Sequence, residues 1–494
     1  MRGTWQSVAA IVASVSLVFS APATVIRVPE EYPTIQAGID EAADGDTVLV
    51  AGGTYTGDGN RDIDVGGKEI TVVSESGPEV TIIDCEGTIS DQHRGFYFHN
   101  GEGANSVVRG FTIQNGYAYG DTWPDDCGGA ILCENASPTI VGNTICGNSA
   151  GYGGGIYCRG SSAWIVSNTM TGNAATYHGG GIRCGDESAV IVVGNRITGN
   201  AAERGGGISC WQSTATIMRN AIIGNVASLY GGGIRWWASA PAIDGNVIAG
   251  NTASTDGGGI SCSWYSFPAI GNNTFTGNRA DEGGGLTGAW HCSATVMNSI
   301  LWGDSAVTAS EILLDSMSSI SITYSDVQGG WPGEGNIDAD PEFVLAEKGD
   351  HRLLWGSPCI DSGNPDSLDP DGTRRDVGAY YFDQDDYLTL YLTADTTRVS
   401  PGGTLGVTYT VINRWAQPEP LWVLTEAILP NGNPFPVMGP DQYALPANHT
   451  EQRHLNHIVP GAAPFGLYGY GSRIGMPPST LYDEDSFTFT VVEQ

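Results

Sequence analysis

The sequence predicts an all-β protein: a parallel β-helix solenoid with an N-terminal cap helix, followed by an immunoglobulin-like β-sandwich. Three observations carry that reading. Glycines, an aliphatic residue, a short β-type run, Asn, a second β-type run and Gly-Asn recur seven times between Gly128 and Ser305, with only the last copy ending on Gly303-Asp304. The aliphatic marker falls at Ile131, Ile156, Ile182, Ile208, Ile234, Ile260 and Leu286, one step of 25 residues and then five of 26. From about Asp386 the pattern changes to alternating strands bounded by turn residues. A period this strict gives each position one place in successive turns of a solenoid, so a position becomes a column in space.

Taken in order, residues 1–23 read as a signal peptide. Arg2 precedes an apolar run from Val8 to Phe19, and Ala21-Pro22-Ala23 supplies a small-x-small cleavage site. The run is too short to span a bilayer comfortably, with a retained membrane anchor as the alternative, and no later stretch is long and apolar enough. A secreted protein is expected, extracellular or at the cell surface. The β-helix is assigned to 24–325. Ile35, Ile39 and Ala42 share one helical face within Tyr32–Ala43, which suits a lid on the open apolar end of a stack. β-type runs follow at Gly45–Val50, Glu69–Ser74, Glu79–Asp84, Gly95–His99 and Ser106–Ile113, ahead of the strict repeats at 128–305.

Within a repeat, three β-type stretches predict a triangular coil with three inward columns. The marker is one. Ile140, Ile165, Val192, Ile217, Ile243 and Ile270 form another, and Ile145, Met170, Ile197, Ile222, Ile248, Phe275 and Ile300 the third. With neighbouring strands about 4.8 Å apart, seven coils extend roughly 30 Å. Asn143, Asn168, Asn195, Asn220, Asn246, Asn273 and Asn298 mark one corner; Asn148, Asn173, Asn200, Asn225, Asn251 and Asn278 mark the other. Asn tolerates the left-handed conformation of a tight corner, and stacked amides bond along a ladder. Cys133, Cys158, Cys184, Cys210 and Cys262 each lie two residues after a marker, with Trp236 in the same slot. Residues i and i+2 share a strand face, so these read as free thiols in an apolar column rather than bridges or a metal site. Cys85, Cys127, Cys146, Cys292 and Cys359 lie off that column, and a Cys127–Cys146 bridge stays open as an alternative. A closing segment rich in Asp, Gly and Pro occupies 326–385, and the cysteine-free sandwich 386–494.

The charge balance filters partners. Lys and Arg total 21 against 54 Asp and Glu, a net charge of −33. Such a surface repels phosphate backbones and argues against nucleic acid. In so cation-poor a chain, Arg and Trp gather on one sheet. Residues one and three after the marker should point outward, placing Tyr157, Arg183, Arg235, Arg159, Trp211 and Trp237 there, with Trp264 and Trp290 one residue further on. Flat aromatics stack on sugar rings and guanidinium pairs bidentately with carboxylates. These eight residues are the candidate binding strip for an extended polysaccharide, acidic ones included. Packing of Trp and Arg over one another as an exterior ladder, with cation–π support, is the competing account. In the closing segment Asp361, Asp366, Asp369, Asp371 and Asp376 are candidate oxygen ligands for Ca²⁺, against a solvated, turn-rich cap.

Three stretches carry a family resemblance. The run Tyr32–Ala42 followed by Gly45–Tyr55 resembles the opening of the pectate-lyase-like right-handed parallel β-helix superfamily. The glycine-and-asparagine coils resemble repeats of exported bacterial β-helix proteins. Gly356–Gly363 with Asp371–Tyr380 resembles the tail that closes many of them. The resemblance covers most of 25–383 and implies fold and export more than activity, since the fold hosts lyases, hydrolases, esterases, epimerases, adhesins and scaffolds. The Asn-Thr-Asp and Arg-Ile-Lys motifs of polygalacturonase-like enzymes are absent, as is the Gly-x-x-Asp-Phe-Ile-Phe-Gly context of pectin-esterase-like sites. His178 fills a corner slot taken elsewhere by Tyr152, Arg204, Tyr230, Asp256 and Glu282, which reads as solvated. No set of Asp on consecutive coils is seen opposite an Arg, the arrangement that pectate-lyase-like elimination needs. The leading expectation is recognition of extracellular polysaccharide or a cell-surface component. A polysaccharide lyase or glycoside hydrolase is the alternative, and a surface scaffold or adhesin the third.

Overall fold

A computed structural model describes residues 23–120, 123–385, 387–476 and 480–492. The signal-peptide reading therefore lies outside the described residues, apart from Ala23. Among the described residues no helix is long and apolar enough to cross a membrane.

The solenoid is built from parallel sheets of nine, twelve, eleven and eight strands. One coil shows the order: Ile182–Gly185 on the marker face, Ile191–Val193 on the second, Arg196–Thr198 on the third and Ala201–Arg204 on the fourth. Markers pair in register, Ile156 with Ile182, Ile182 with Ile208 and Ile208 with Ile234, and all are buried. The coil thus has four strands where three were expected. The missing strand follows the second Asn, and its inward position is alanine: Ala150, Ala175, Ala202, Ala227, Ala253 and Ala280 are buried. Alanine gives a weak apolar signal, so the sequence hid this face. The triple glycine after it has a steric cause. A Cβ on Gly180 would stand 2.4 Å from the Gly206 carbonyl oxygen and 2.5 Å from that of Ala201, so backbone blocks any side chain.

The asparagine ladders are present, but the left-handed turn belongs to their neighbours. Positive φ is found at Gly142, Ser167, Gly194, Arg219, Gly245 and Asn272, each just before a first-ladder Asn. The ladder side chains instead point inward. Asn225 Oδ1 accepts from both the backbone N–H and the side-chain amide of Asn200 at 3.0 Å, while its own amide donates to the Ile197 carbonyl at 2.9 Å and to Asn251 Oδ1 at 3.0 Å. The seventh coil slips by one residue. Ser299, not Asn298, receives the Asn273 N–H, and Leu301, not Ile300, pairs with Phe275. Asn298 takes the left-handed slot, and Ile300 turns outward to pack with Leu353, Cys359 and Val377 of the closing segment. One extra residue swaps the faces of a strand.

Cys133, Cys158, Cys184 and Cys210 are buried free thiols, as expected. Cys262 is not: it forms a disulfide with Cys292, across a sequence separation of 30. Cys127 and Cys146 are both free, which removes the bridge between them. At the N-terminal end a helix spans Ile35–Glu41, with Thr34 Oγ1 accepting the Ala37 N–H and Ile35, Gly38 and Ile39 buried. The C-terminal region folds into a three-stranded antiparallel sheet and a five-stranded sheet, antiparallel except for the pair Arg398–Val399 with Thr480–Val491. Leu390, Val407, Tyr409, Tyr470 and Phe489 share its core, where the Tyr409 and Tyr470 hydroxyls bond at 2.6 Å. Arg352 ties the closing segment to this region, reaching Asp350 and Asp485 at 2.7 Å each.

Candidate functional site

The marker face does not present a flat strip. The column one residue after the marker (Leu132, Tyr157, Arg183, Ser209, Arg235, Ser261, Thr287) lies outside the main core yet is buried. Two flanking columns enclose it. The tryptophans rise on one side and the fourth-face corner residues on the other, and they meet where the His178 ring stands 6.2 Å from Trp211.

The tryptophans form one continuous stack. Ring centroids are 5.1 Å apart for Trp211–Trp237, 4.8 Å for Trp237–Trp264 and 5.8 Å for Trp264–Trp290, with planes within 23° of parallel. Their faces are thus turned to one another, and the ring edges to solvent. This corrects the expectation of open faces for sugar stacking: the exterior-ladder account describes the geometry. The arginines are also spoken for. Arg183 donates to Ser209 Oγ at 2.9 Å and lies 5.7 Å from the Trp211 centroid. Arg235 donates to Ser261 Oγ at 3.1 Å and Ser263 Oγ at 2.6 Å, and sits over Tyr230 and Trp237. Both guanidinium groups are pillars beneath the aromatic rings, not open carboxylate clamps. Arg159 pairs with Asp186 at 2.8 Å and lies 4.5 Å from the Trp123 ring. Tyr157 is buried edge-on against Trp123, whose Nε1–H donates to Glu134 at 2.9 Å.

What remains open is a ridge at the C-terminal half of this face. Trp264 is 41% exposed, Tyr265 57%, Phe267 55% and Trp290 54%. Tyr265 stacks on His291 at 4.7 Å, a second aromatic row beside the tryptophans. Tyr265, Phe267 and His291 went unnoticed in the sequence because they fall in the turn after the strand, where column spacing varies.

Electrostatics single out the opposite rim. Burial, then the fields of Arg183, Arg204 and Arg235, hold the His178 imidazole down at about 3. Burial pulls the Arg235 guanidinium down to about 10 against the opposing field of Asp256. Burial pushes Asp256 up to about 6; Arg235 lowers it and Glu282 raises it. Asp256 and Glu282 hold paired backbone positions on consecutive coils, and the field of Arg235 reaches Asp256.

The five closing-segment aspartates are not gathered for a cation. Asp376 accepts the N–H groups of Asp361 and Phe382 at 2.7 Å, Asp369 accepts that of Asp376 at 2.7 Å and pairs with Arg375 at 3.0 Å, and Asp371 accepts from Thr373 and Gln384. Asp361 takes the Gln384 amide at 3.1 Å, and Asp366 is exposed. Among the described residues no group of three or more His, Cys, Asp or Glu is placed to hold a metal ion. These carboxylates close turns; burial raises Asp376 to about 7.

Comparison with known proteins bears on the fold. No curated protein matches the chain. Among solved structures, the alkylpurine DNA glycosylase AlkC of Pseudomonas fluorescens is 12% identical over 22% of this chain and 31% of its own, with a TM-score of 0.18. The sporulation control protein Spo0M of Bacillus subtilis is 13% identical over 22% of this chain and 50% of its own, with a TM-score of 0.17. The chain spans half or less of either protein, and likenesses so slight carry no argument. The family model described as "Right handed beta helix region" matches residues 47–226 and 129–301, together more than half of the 494 residues. With the coils in register as described, the chain belongs to the right-handed β-helix family.

Proposed function

We propose that this chain is a secreted β-helix protein of the pectate-lyase-like group that recognises extended polysaccharide or cell-surface material along its aromatic ridge. The observation that carries the reading is the contiguous exposure of Trp264, Tyr265, Phe267 and Trp290 on a chain of net charge −33. Exposed aromatic patches rimmed by polar residues mark interaction surfaces, and ring edges supply apolar contact with a polar handle. Buried Arg183 and Arg235 support Trp211 and Trp237, and the ridge tryptophans stack in turn on Trp237. The Ile35–Glu41 helix serves as the lid of the stack, and the terminal sheets as an immunoglobulin-like spacer. The Cys262–Cys292 disulfide supports an oxidising, extracytoplasmic setting. Retention of the full chain on immobilised neutral β-glucan is the test. Trp264→Ala with Trp290→Ala should abolish retention; unchanged retention overturns the reading.

A carbohydrate-active enzyme is the second reading, favoured by Asp256. A carboxyl raised to about 6 is suited to proton transfer near neutrality, and burial makes the neighbouring Arg235 guanidinium release its proton more readily than an exposed one. Unsaturated-product and reducing-end assays on polyuronates, comparing wild type with Asp256→Asn, separate cleavage from binding.

A further inference from the structure

On the far side of the coil from the tryptophans, the closing segment folds back over the third face. The Gly378 N–H donates to the Asn298 carbonyl at 2.8 Å and the Ala379 N–H to Thr274 Oγ1 at 3.0 Å. Beyond that anchor the segment stands away from the coils and leaves a cleft of about 610 Å³. Arg196 and Arg219 form one wall, Arg375, Tyr380 and Tyr381 the other, and Arg352 with Tyr391 lines the end nearest the terminal sheets.

Charge here runs against the rest of the molecule. Four arginines and one acidic residue, Asp244, line the cleft of a chain that has 54 acidic and 21 basic residues. Arg375 and Arg352 are held by carboxylates, to Asp369 at 3.0 Å and to Asp350 at 2.7 Å. Asp244 Oδ1 accepts the Asn272 amide at 2.6 Å. Among the described residues the guanidinium groups of Arg196 and Arg219 have neither a hydrogen bond nor an ion pair, and both are exposed. Arg219 also occupies a backbone slot that the coils on either side give to glycine. Its φ is +53°, against +64° at Gly194 and +65° at Gly245. The same turn holds the short side chains of Ser167 and Asn272 in other coils, so what Arg219 adds is a long cationic side chain at the rim of the cleft. Opposite stand two half-exposed tyrosine rings, Tyr380 and Tyr381.

From this juxtaposition we propose that the cleft between the third face and the closing segment is a binding site for a short carboxylated saccharide. Arg196 and Arg219 take the carboxylate in bidentate geometry. The tyrosines supply apolar ring surface and hydroxyl donors for the sugar. The volume lies within the range of small-ligand sites. The site shares no residue with the aromatic ridge and stands without it.

Calorimetric titration of the full chain with digalacturonate, neutral galactobiose and inorganic phosphate tests it. Digalacturonate should bind and galactobiose should not. Arg196→Gln with Arg219→Gly should weaken digalacturonate at least about tenfold. The Arg219→Gly half restores the residue used by neighbouring coils, so the melting temperature should hold or rise while affinity falls. Trp264→Ala with Trp290→Ala should leave this binding unchanged, which separates the cleft from the ridge. The proposal is overturned if digalacturonate gives no binding, if the double variant binds it as wild type does, or if galactobiose or phosphate binds as tightly.

Discussion

Replacing Asn225 by alanine tests the interior ladder directly. The side chain is fully buried and makes four hydrogen bonds of 2.9–3.0 Å: two accepted from Asn200, one donated to Ile197 and one to Asn251. Not all partners suffer equally. The Asn200 amide retains the Met170 carbonyl at 3.1 Å, and Asn251 Oδ1 retains the Asn225 backbone N–H at 2.9 Å. The Asn200 backbone N–H is left with no acceptor in a site closed to water. At about 1 kcal/mol per lost bond, with the orphaned N–H toward the high end of its range, the change should cost about 4 kcal/mol. Urea unfolding followed by far-UV circular dichroism, extrapolated to water, gives the number. Asn105→Ala is the control, since that amide bonds only the exposed Glu69 carboxylate; it should cost less than about 0.5 kcal/mol. If Asn225→Ala falls within about 1 kcal/mol of wild type, the ladder is ornament and the solenoid is held by its apolar columns alone.

The remaining predictions concern the covalent tie, a buried acid and a glycine corner. Unfolded without reductant, the protein should expose eight alkylatable thiols, and ten after reduction; reduction should cost about 3.6 kcal/mol for a closed loop of 30 residues, and ten thiols from the outset would refute the bridge. Burial raises Asp326 from 3.8 to about 6, so the native state holds the proton longer than the unfolded chain. The contribution of Asp326 should therefore be fully present below about pH 4 and be lost, about 3 kcal/mol, as pH rises through 6, and Asp326→Asn should flatten that part of the stability–pH curve. Gly180→Ala drives a methyl into backbone on two sides and should cost at least about 3 kcal/mol in urea unfolding.

How far the sequence could be read depended on how each residue signals. Ile, Asn and Gly at fixed spacing announce the coil, because only large aliphatics, ladder amides and crowded corners need those side chains. The fourth face was silent because its inward residue is alanine. The seventh-coil slip was invisible because Asn298 keeps the letter of the ladder while Ser299 takes its role. The strand Gly466–Met476 gives a weak signal because glycine alternates with the inward Tyr468 and Tyr470. For the site, the sequence put Trp211 and Trp237 at one position of the repeat and Trp264 and Trp290 one residue further on, whereas the four rings form a single stack. It could not show that rings a rung apart turn their faces to each other. Likewise, the arginines of the cleft come from coils and a closing segment more than 100 residues distant in the chain, a juxtaposition that no local pattern encodes.

The amide columns run one way. Each asparagine of the second column hands its backbone N–H and one amide hydrogen to the next rung, and that series ends on Asp304, which receives the backbone N–H and side-chain amide of Asn278 at 2.7 and 2.9 Å. A one-way zipper of this sort has interchangeable middle teeth and a unique stop. Whole 26-residue units can therefore be duplicated or excised between Asn168 and Asn251 with every donor still met, whereas a cut that removes the stop strands the last amide. Length is thus a freely adjustable property of this scaffold, and its far terminus is not.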